Sequence, residues 1–169
     1  MKRDLDLEAT DADGVPEQEP GVVARLIEYA RGRMVALPPH TTLEIVENPQ
    51  AVPIPGAAYY GYGLLSWQGR RLPMLDLDAM LRAYPQAQRT KAPRYALVVA
   101  YQRAPGQPVE HGAIGLADLP QNAMVRDEAC CELPNDSDMW PHISLSCFRF
   151  EGRPVPIVDT ARLFGSYHG

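Results

Sequence analysis

Residues 67–81 read WQGRRLPMLDLDAML, and residues 150–164 read FEGRPVPIVDTARLF. Laid over each other without a gap, Gly69 meets Gly152, Arg70 meets Arg153, Pro73 meets Pro156 and Asp76 meets Asp159. The positions between them keep their character: Trp67/Phe150, Leu72/Val155, Met74/Ile157, Leu75/Val158, Met80/Leu163 and Leu81/Phe164. Each copy reads as one physical unit. Gln68-Gly69 or Glu151-Gly152 turns the chain, because glycine takes a positive φ without a steric penalty. A short apolar strand follows; its proline cannot donate to a ladder, which predicts a strand at an edge or one entered at the proline. The aspartate then stands where a helix N-cap is wanted, ahead of a short apolar helix. Two copies of this unit predict two similar subdomains rather than a solenoid.

The rest of the chain agrees with a mainly β protein. It has 169 residues, enough for one domain or two small intimate subdomains. Seventeen prolines and 13 glycines punctuate it too often for long helices. Val22–Ala30 and Arg33–Leu37 read as a hairpin around Arg31-Gly32, and Thr41–Val46 as another strand. Pro49, Pro53 and Pro55-Gly56 make a rigid loop. Residues 84–94 are polar and flanked by proline, a candidate surface connection between halves. Tyr95–Tyr101 is a buried strand, His111–Leu116 its return, and His142–Phe150 a further strand, with residues 117–141 unassigned. Only two short helices are expected. Residues 1–21 carry seven acidic groups among Gly and Pro and read as a disordered acidic tail; residues 166–169 form a C-terminal tail.

Composition narrows function. A net charge of −5 argues against nucleic-acid binding. No apolar run reaches the ~20 residues of a membrane span, and Met1-Lys2-Arg3-Asp4 leads into acidic residues rather than a signal sequence. Cys130, Cys131 and Cys147 are odd in number and lack C-x-x-C spacing, so reduced thiols and a cytoplasmic setting are expected. The histidines at 40, 111, 142 and 168 have no partner at ligand spacing, so no metal or other cofactor is predicted. Ser144 and Ser146 lie outside any nucleophile-elbow motif, and Gly61-Tyr62-Gly63 precedes a strand rather than a helix. A duplicated aspartate invites comparison with the paired-Asp proteases, in which each half contributes one carboxyl to a shared proton. Asp76-Leu77-Asp78 lacks the hydroxyl and glycine of such a loop, which favours two helix caps. No enzyme activity is expected.

What remains is binding surface. Tyr59, Tyr60, Tyr62, Leu64 and Trp67 crowd one stretch, and Tyr and Trp are favoured at protein interfaces. Period-2 alternation sends about half of them inward as barrel core.

A hairpin, then TTLEIV at 41–46, a Pro-bearing loop, GLLSWQG at 63–69, a Pro-containing strand and an Asp-started helix follow in order. This pattern resembles the CheW-like domain, found in the chemotaxis coupling protein CheW and in the regulatory domain of the kinase CheA. Glu44, Gly63, Gly69, Pro73, Asp76 and Leu77 fill the family pattern without insertion, and the likeness extends over residues 22–165. It implies two intertwined five-stranded SH3-like β-barrels related by pseudo-symmetry, with short helices. It implies a non-catalytic adaptor whose partners are the cytoplasmic tip of a methyl-accepting receptor and the regulatory domain of a CheA-type histidine kinase, with no direct membrane insertion. A groove around Thr42, Glu44, Gly63, Leu65 and Gln68 would meet the receptor, with Tyr60, Tyr62 and Trp67 as further partner-binding residues, and faces of both barrels would meet the kinase. The sequence departs from the family at Gln68, where arginine is usual, and at Pro120, which cuts short the strand after Gly115. Those departures leave open a swimming-motility adaptor, an auxiliary adaptor of a type IV pilus Chp-type system, and a decoy that binds one partner only.

Overall fold

A computed structural model describes residues 20–82 and 92–165. The acidic-tail reading of 1–19, most of the connection at 84–94 and the C-terminal tail lie outside the described residues.

Eleven strands and three short helices follow along the described chain: β1 (Val22–Ala30), β2 (Arg33–Leu37), β3 (Thr42–Glu47), β4 (Ala51–Val52), β5 (Gly61–Trp67), β6 (Arg70–Leu75), α1 (Leu77–Arg82), β7 (Tyr95–Tyr101), β8 (Glu110–Leu116), β9 (Gln121–Val125), α2 (Trp140–Ile143), β10 (Ser144–Phe150), β11 (Arg153–Val158) and α3 (Thr160–Gly165). They form two curled sheets. One has the order β10-β11-β2-β1-β9; the other has the order β3-β7-β8-β6-β5-β4. The second sheet therefore has six strands rather than the expected five, because a two-residue strand forms inside the proline-rich loop and pairs Ala51 with Leu65 and Val52 with Leu64.

The two repeat copies fall at equivalent places, β5-β6-α1 in one sheet and β10-β11-α3 in the other. Their tips match in backbone as well as sequence. Gln68 and Gly69 have φ of 46° and 73°, and Glu151 and Gly152 have 50° and 79°. Two successive positive-φ residues are the signature of the I′ hairpin turn, whose twist suits the flanking strands. Both copies also carry a bulge at the same position, between Gly61 and Gly63 and between Ser144 and Ser146.

The expectation that the proline strands lie at an edge, or begin at the proline, is not met. β6 sits between β5 and β8, and β11 between β10 and β2. The physical reason lies in register. Each strand acquires its second, parallel neighbour only after the proline: Met74 and Leu75 pair with β8, and Ile157 pairs with Ala36 of β2. Pro73 and Pro156 thus stand where only one neighbour needs a ladder bond. Residues 117–141 contain β9, a 3-10 turn at Asp127–Ala129 and then α2, so β10 begins at Ser144 rather than at His142. Trp140 and Ile143 are drawn into the core, and Pro141 sits in the first turn, where its missing N–H costs nothing.

The halves exchange strands. β1 and β2 belong to one sheet and β3–β6 to the other; β7 and β8 join β3–β6, while β9–β11 return to β1 and β2. Each sheet is thus built from both halves of the sequence. Small apolar clusters fill the two barrels: Leu26, Ala36, Phe148 and Val155 in the first, Leu65, Met74, Ala96 and Ala113 in the second. The largest cluster lies between the sheets, where Ile27, Val35 and Leu37 meet Leu75, Leu97, Val99 and Ile114 under α1, α2 and α3. Phe164 of α3 stacks on Tyr101 with ring centroids 5.1 Å apart, and it occupies the space a side chain at Gly112 would need. A polar brace crosses the same boundary. Arg33 reaches Asp136 at 2.8 Å and Asp78 at 3.4 Å, and the Trp140 indole donates to Asp136 at 2.7 Å.

Two outcomes follow from this architecture. Cut within residues 83–91, the chain should give two fragments that are each unfolded alone and that refold on mixing; circular dichroism and gel filtration read this directly, and a first half that folds alone would contradict the exchange. Tyr29, beside Arg33, has its phenol pushed up to about 12, chiefly by burial. The unfolded chain therefore ionises this group first, so the stability it contributes is present below pH ~10 and is lost as pH rises towards ~12. Denaturant midpoints of wild type and Tyr29→Phe should diverge in that window, with the phenylalanine variant falling less.

Candidate functional site

The reciprocal repeat determines where the conspicuous side chains go. Asp76 Oδ1 accepts the Ala79 N–H at 3.0 Å and Asp159 Oδ1 accepts the Ala161 N–H at 2.9 Å, so each carboxylate caps its own helix. Their backbones are equivalent too: the Asp76 N–H donates to the Tyr60 carbonyl and the Asp159 N–H to the Ile143 carbonyl. The paired-Asp reading fails on this geometry, because the two carboxylates are engaged at separate helix starts, one per repeat copy. Among the described residues no group of three or more His, Cys, Asp or Glu is placed to hold a metal.

The candidate partner residues divide. Glu44, Trp67 and Gln68 come together at one mouth of the six-stranded barrel. β3 and β5 are not neighbours in the sheet order, yet the Trp67 Nε1–H donates to Glu44 Oε2 at 2.6 Å, so the bond spans the mouth. A bulge between Thr42 and Glu44 puts Leu43 out of register and half exposed beside it. Trp67 also lies against His111 of β8, with ring centroids 5.3 Å apart, and Arg70 Nη1 is 3.3 Å from His111 Nδ1. Gln68 is exposed at the tip of the β5–β6 hairpin. This gives a polar and aromatic rim of Glu44, Trp67, Gln68, Arg70 and His111 over an apolar interior.

The other candidates sit elsewhere. Leu65 is only 3% exposed and belongs to the barrel interior, so its assignment to a contact surface is corrected. Gly63 is buried with φ of 123°, and a Cβ there would collide with the Val52 backbone carbonyl. It permits β4 to approach β5, and substituting it perturbs that pairing. Thr42 is half-buried, and its hydroxyl donates to the Pro39 carbonyl at 2.7 Å. Tyr62 is half-buried against the barrel cluster, its ring in the space over Gly115. Tyr60 packs on the inter-sheet core, with the exposed Tyr59 edge-on to it at 5.1 Å. The tyrosines and the rim lie at opposite ends of β5, ~20 Å apart at strand rise.

His111 and Arg70 were not singled out as a site in the sequence. Their signal is weak: each continues the inward alternation of its strand, His111 before Ala113 and Arg70 before Leu72, so only closure of the barrel brings them beside Trp67. A second surface also escapes sequence reading. In the five-stranded barrel Val22, Val23 and Met124 are 71%, 42% and 50% exposed. Val22 and Val23 border a cavity of about 370 Å³ whose other walls include Pro38, Phe148 and Ile157.

Two interlocked barrels thus carry two distinct surface features, a polar and aromatic rim on one and exposed apolar side chains on the other. The chain belongs to the CheW-like domain family, whose model matches residues 25–120. Among solved structures, the scaffolding protein TtCheW from Thermoanaerobacter tengcongensis matches with a TM-score of 0.63 at 11% identity, over 89% of this chain and 92% of that one. No curated protein matches the sequence. Among the described residues no helix is long and apolar enough to cross a membrane.

The bond across the mouth is directly measurable. In a double-mutant cycle of Glu44→Ala and Trp67→Phe, chemical unfolding should give a coupling of about 1 kcal/mol, the range for a hydrogen bond with one charged partner near the surface. Additive effects would mean that the two side chains do not meet in solution.

Proposed function

We propose that this protein is a chemotaxis-type coupling scaffold without catalytic activity of its own, joining a methyl-accepting receptor's cytoplasmic tip to the regulatory domain of a CheA-type histidine kinase. The observation that carries this reading is a CheW-like body whose two barrels are each built from both halves of the sequence and share a common core, so that two binding regions are held in fixed relation. A partner bound at one region then acts on the other through one rigid unit, which is what coupling of two equilibria requires.

We assign the receptor tip to the rim of the six-stranded barrel. Glu44 fixes the Trp67 indole there, and Gln68 projects from a turn whose backbone is already set. Where the family usually has arginine, Gln68 removes one cation, but Arg70 and Arg71 follow immediately and are exposed. We assign the kinase to the exposed Val22 and Val23, which border the cavity, together with Met124, the cross-strand partner of Val23, since exposed apolar side chains of this kind fit burial against a protein partner. Interfaces of this kind are modest in area and suited to exchange. Gln68 also supports a second reading, a regulator that binds the kinase and leaves the receptor unbound. A type IV pilus pathway is as consistent with these features as swimming motility.

Titration against a CheA-type regulatory domain and a receptor cytoplasmic fragment from the same cell tests the proposal. Both should bind. Val23→Asp should weaken the kinase at least tenfold and spare the receptor, and Gln68→Arg should strengthen the receptor severalfold and spare the kinase. Kinase binding alone would select the regulator reading, and binding to neither would overturn the scaffold.

A further inference from the structure

The three cysteines, which the functional reading does not use, lie at one side of the five-stranded barrel. Cys130 forms an isolated antiparallel bridge with Phe148, and the Cys131 N–H donates to the Cys147 carbonyl at 3.0 Å. Cys131 and Cys147 are therefore cross-strand partners, with their Sγ atoms 3.5 Å apart.

The pseudo-symmetry shows what this pair replaces. In the repeat alignment Leu64 corresponds to Cys147 and Leu65 to Phe148. In the six-stranded barrel the short β4 pairs Ala51 with Leu65 and Val52 with Leu64. Cys130 and Cys131 thus take the place of β4, and two touching thiols stand where the other barrel has a valine and a leucine. An apolar pair would hold the segment equally well, so packing alone does not account for the sulfurs.

We propose that Cys131 and Cys147 are a peroxide-responsive pair that closes to a disulfide and fastens the 127–131 segment across β10. Exposure orders the chemistry. Cys131 is half-buried and within reach of a small oxidant, while Cys147 lies beneath it. Burial, followed by the neighbouring Cys131, pushes the Cys147 thiol up to about 12, so it stays protonated and is not the first to react. The Cys131 sulfur attacks a hydroperoxide oxygen; the O–O bond breaks, an alcohol (or water) leaves, and Cys131 becomes a sulfenic acid. The Cys147 sulfur then displaces that oxygen, the S–O bond breaks, and the oxygen departs as water with the Cys147 proton. Two electrons pass from the two sulfurs to the peroxide, and a dithiol reductant reverses the change.

The closure has a structural effect on one wall of a cavity. Arg126, Asp127 and Cys130 line the same 370 Å³ space as Val22 and Val23. A covalent link at Cys131 restrains that wall, which the reduced protein holds by few backbone bonds. Any effect on kinase binding rests on the assignment of that face above; the disulfide itself does not.

The test uses the full chain and its Cys130→Ser variant, treated with equimolar hydrogen peroxide, alkylated, and digested without reduction by endoproteinase Asp-N, which cuts before Asp136 and Asp138, between the two cysteines. Mass spectrometry should find the Cys131 and Cys147 peptides joined, two hydrogens lighter, in both proteins. The melting temperature of oxidised Cys130→Ser should rise by roughly 5–10 °C and return on reduction. Dimers linked through Cys130, or sulfinic acids with no Cys131–Cys147 peptide, would overturn the pair. A linked peptide with an unchanged melting temperature would overturn the fastening.

Discussion

Strand exchange between the halves is the constraint on which the rest depends. A barrel of this size encloses little. The interior of the five-stranded barrel centres on Leu26, Ala36, Phe148 and Val155, and that of the other on Leu65, Met74, Ala96 and Ala113. The larger apolar mass lies between the sheets, and it exists only because β1-β2 and β7-β8 cross to the opposite partner. Burial scales with apolar area removed from water, so most of the stabilisation comes from the shared layer rather than from either barrel. The Arg33–Asp136 and Arg33–Asp78 contacts and the Trp140 indole fix orientation across that layer more than they add free energy, since partly exposed ion pairs contribute little.

A shared layer also leaves the barrel mouths and edges as the surfaces open to a partner. The rim of Glu44, Trp67 and His111 closes an apolar interior, and the patch at Val22, Val23 and Met124 borders a cavity at the other barrel. Neither needs the fold to move. The two repeat copies support these regions with the same local devices, a capped helix, a bulge and a primed turn, while the side chains they present differ.

Much of this was legible in the sequence because its signals are local. Gly69 and Gly152 mark turns, Asp76 and Asp159 mark caps, and each predicts its structure without knowledge of a partner strand. The two-residue β4 and the four-residue α2 carry too few positions for any periodicity, and Pro53 and Pro141 obscure them further. The proline strands were misplaced because their parallel neighbours come from the other half of the chain, and no local pattern encodes that register. The candidate rim was legible in part. Trp67, Glu44 and Gln68 stood out from aromatic character and family pattern and lie at one barrel mouth, whereas Leu65 is buried in the barrel and Gly63 lies under β4. Which alternate residues face out is decided by barrel closure, and that same closure assembles His111 and Arg70 with Trp67.

The exchange of strands has a consequence for how the protein is made. Synthesis proceeds from the N-terminus, so β1 and β2 leave the ribosome long before β9, β10 and β11 exist. Until then Leu26 and Ala36 lack Phe148 and Val155, which complete their barrel core, and β2 lacks the strand that will pair with Ala36. Contacts so distant in sequence form slowly, and exposed apolar edges on nascent chains attract other chains. The five-stranded barrel is thus left open until its last strands are made, which makes the rate of elongation, and any chaperone that shields an unfinished sheet, a determinant of yield.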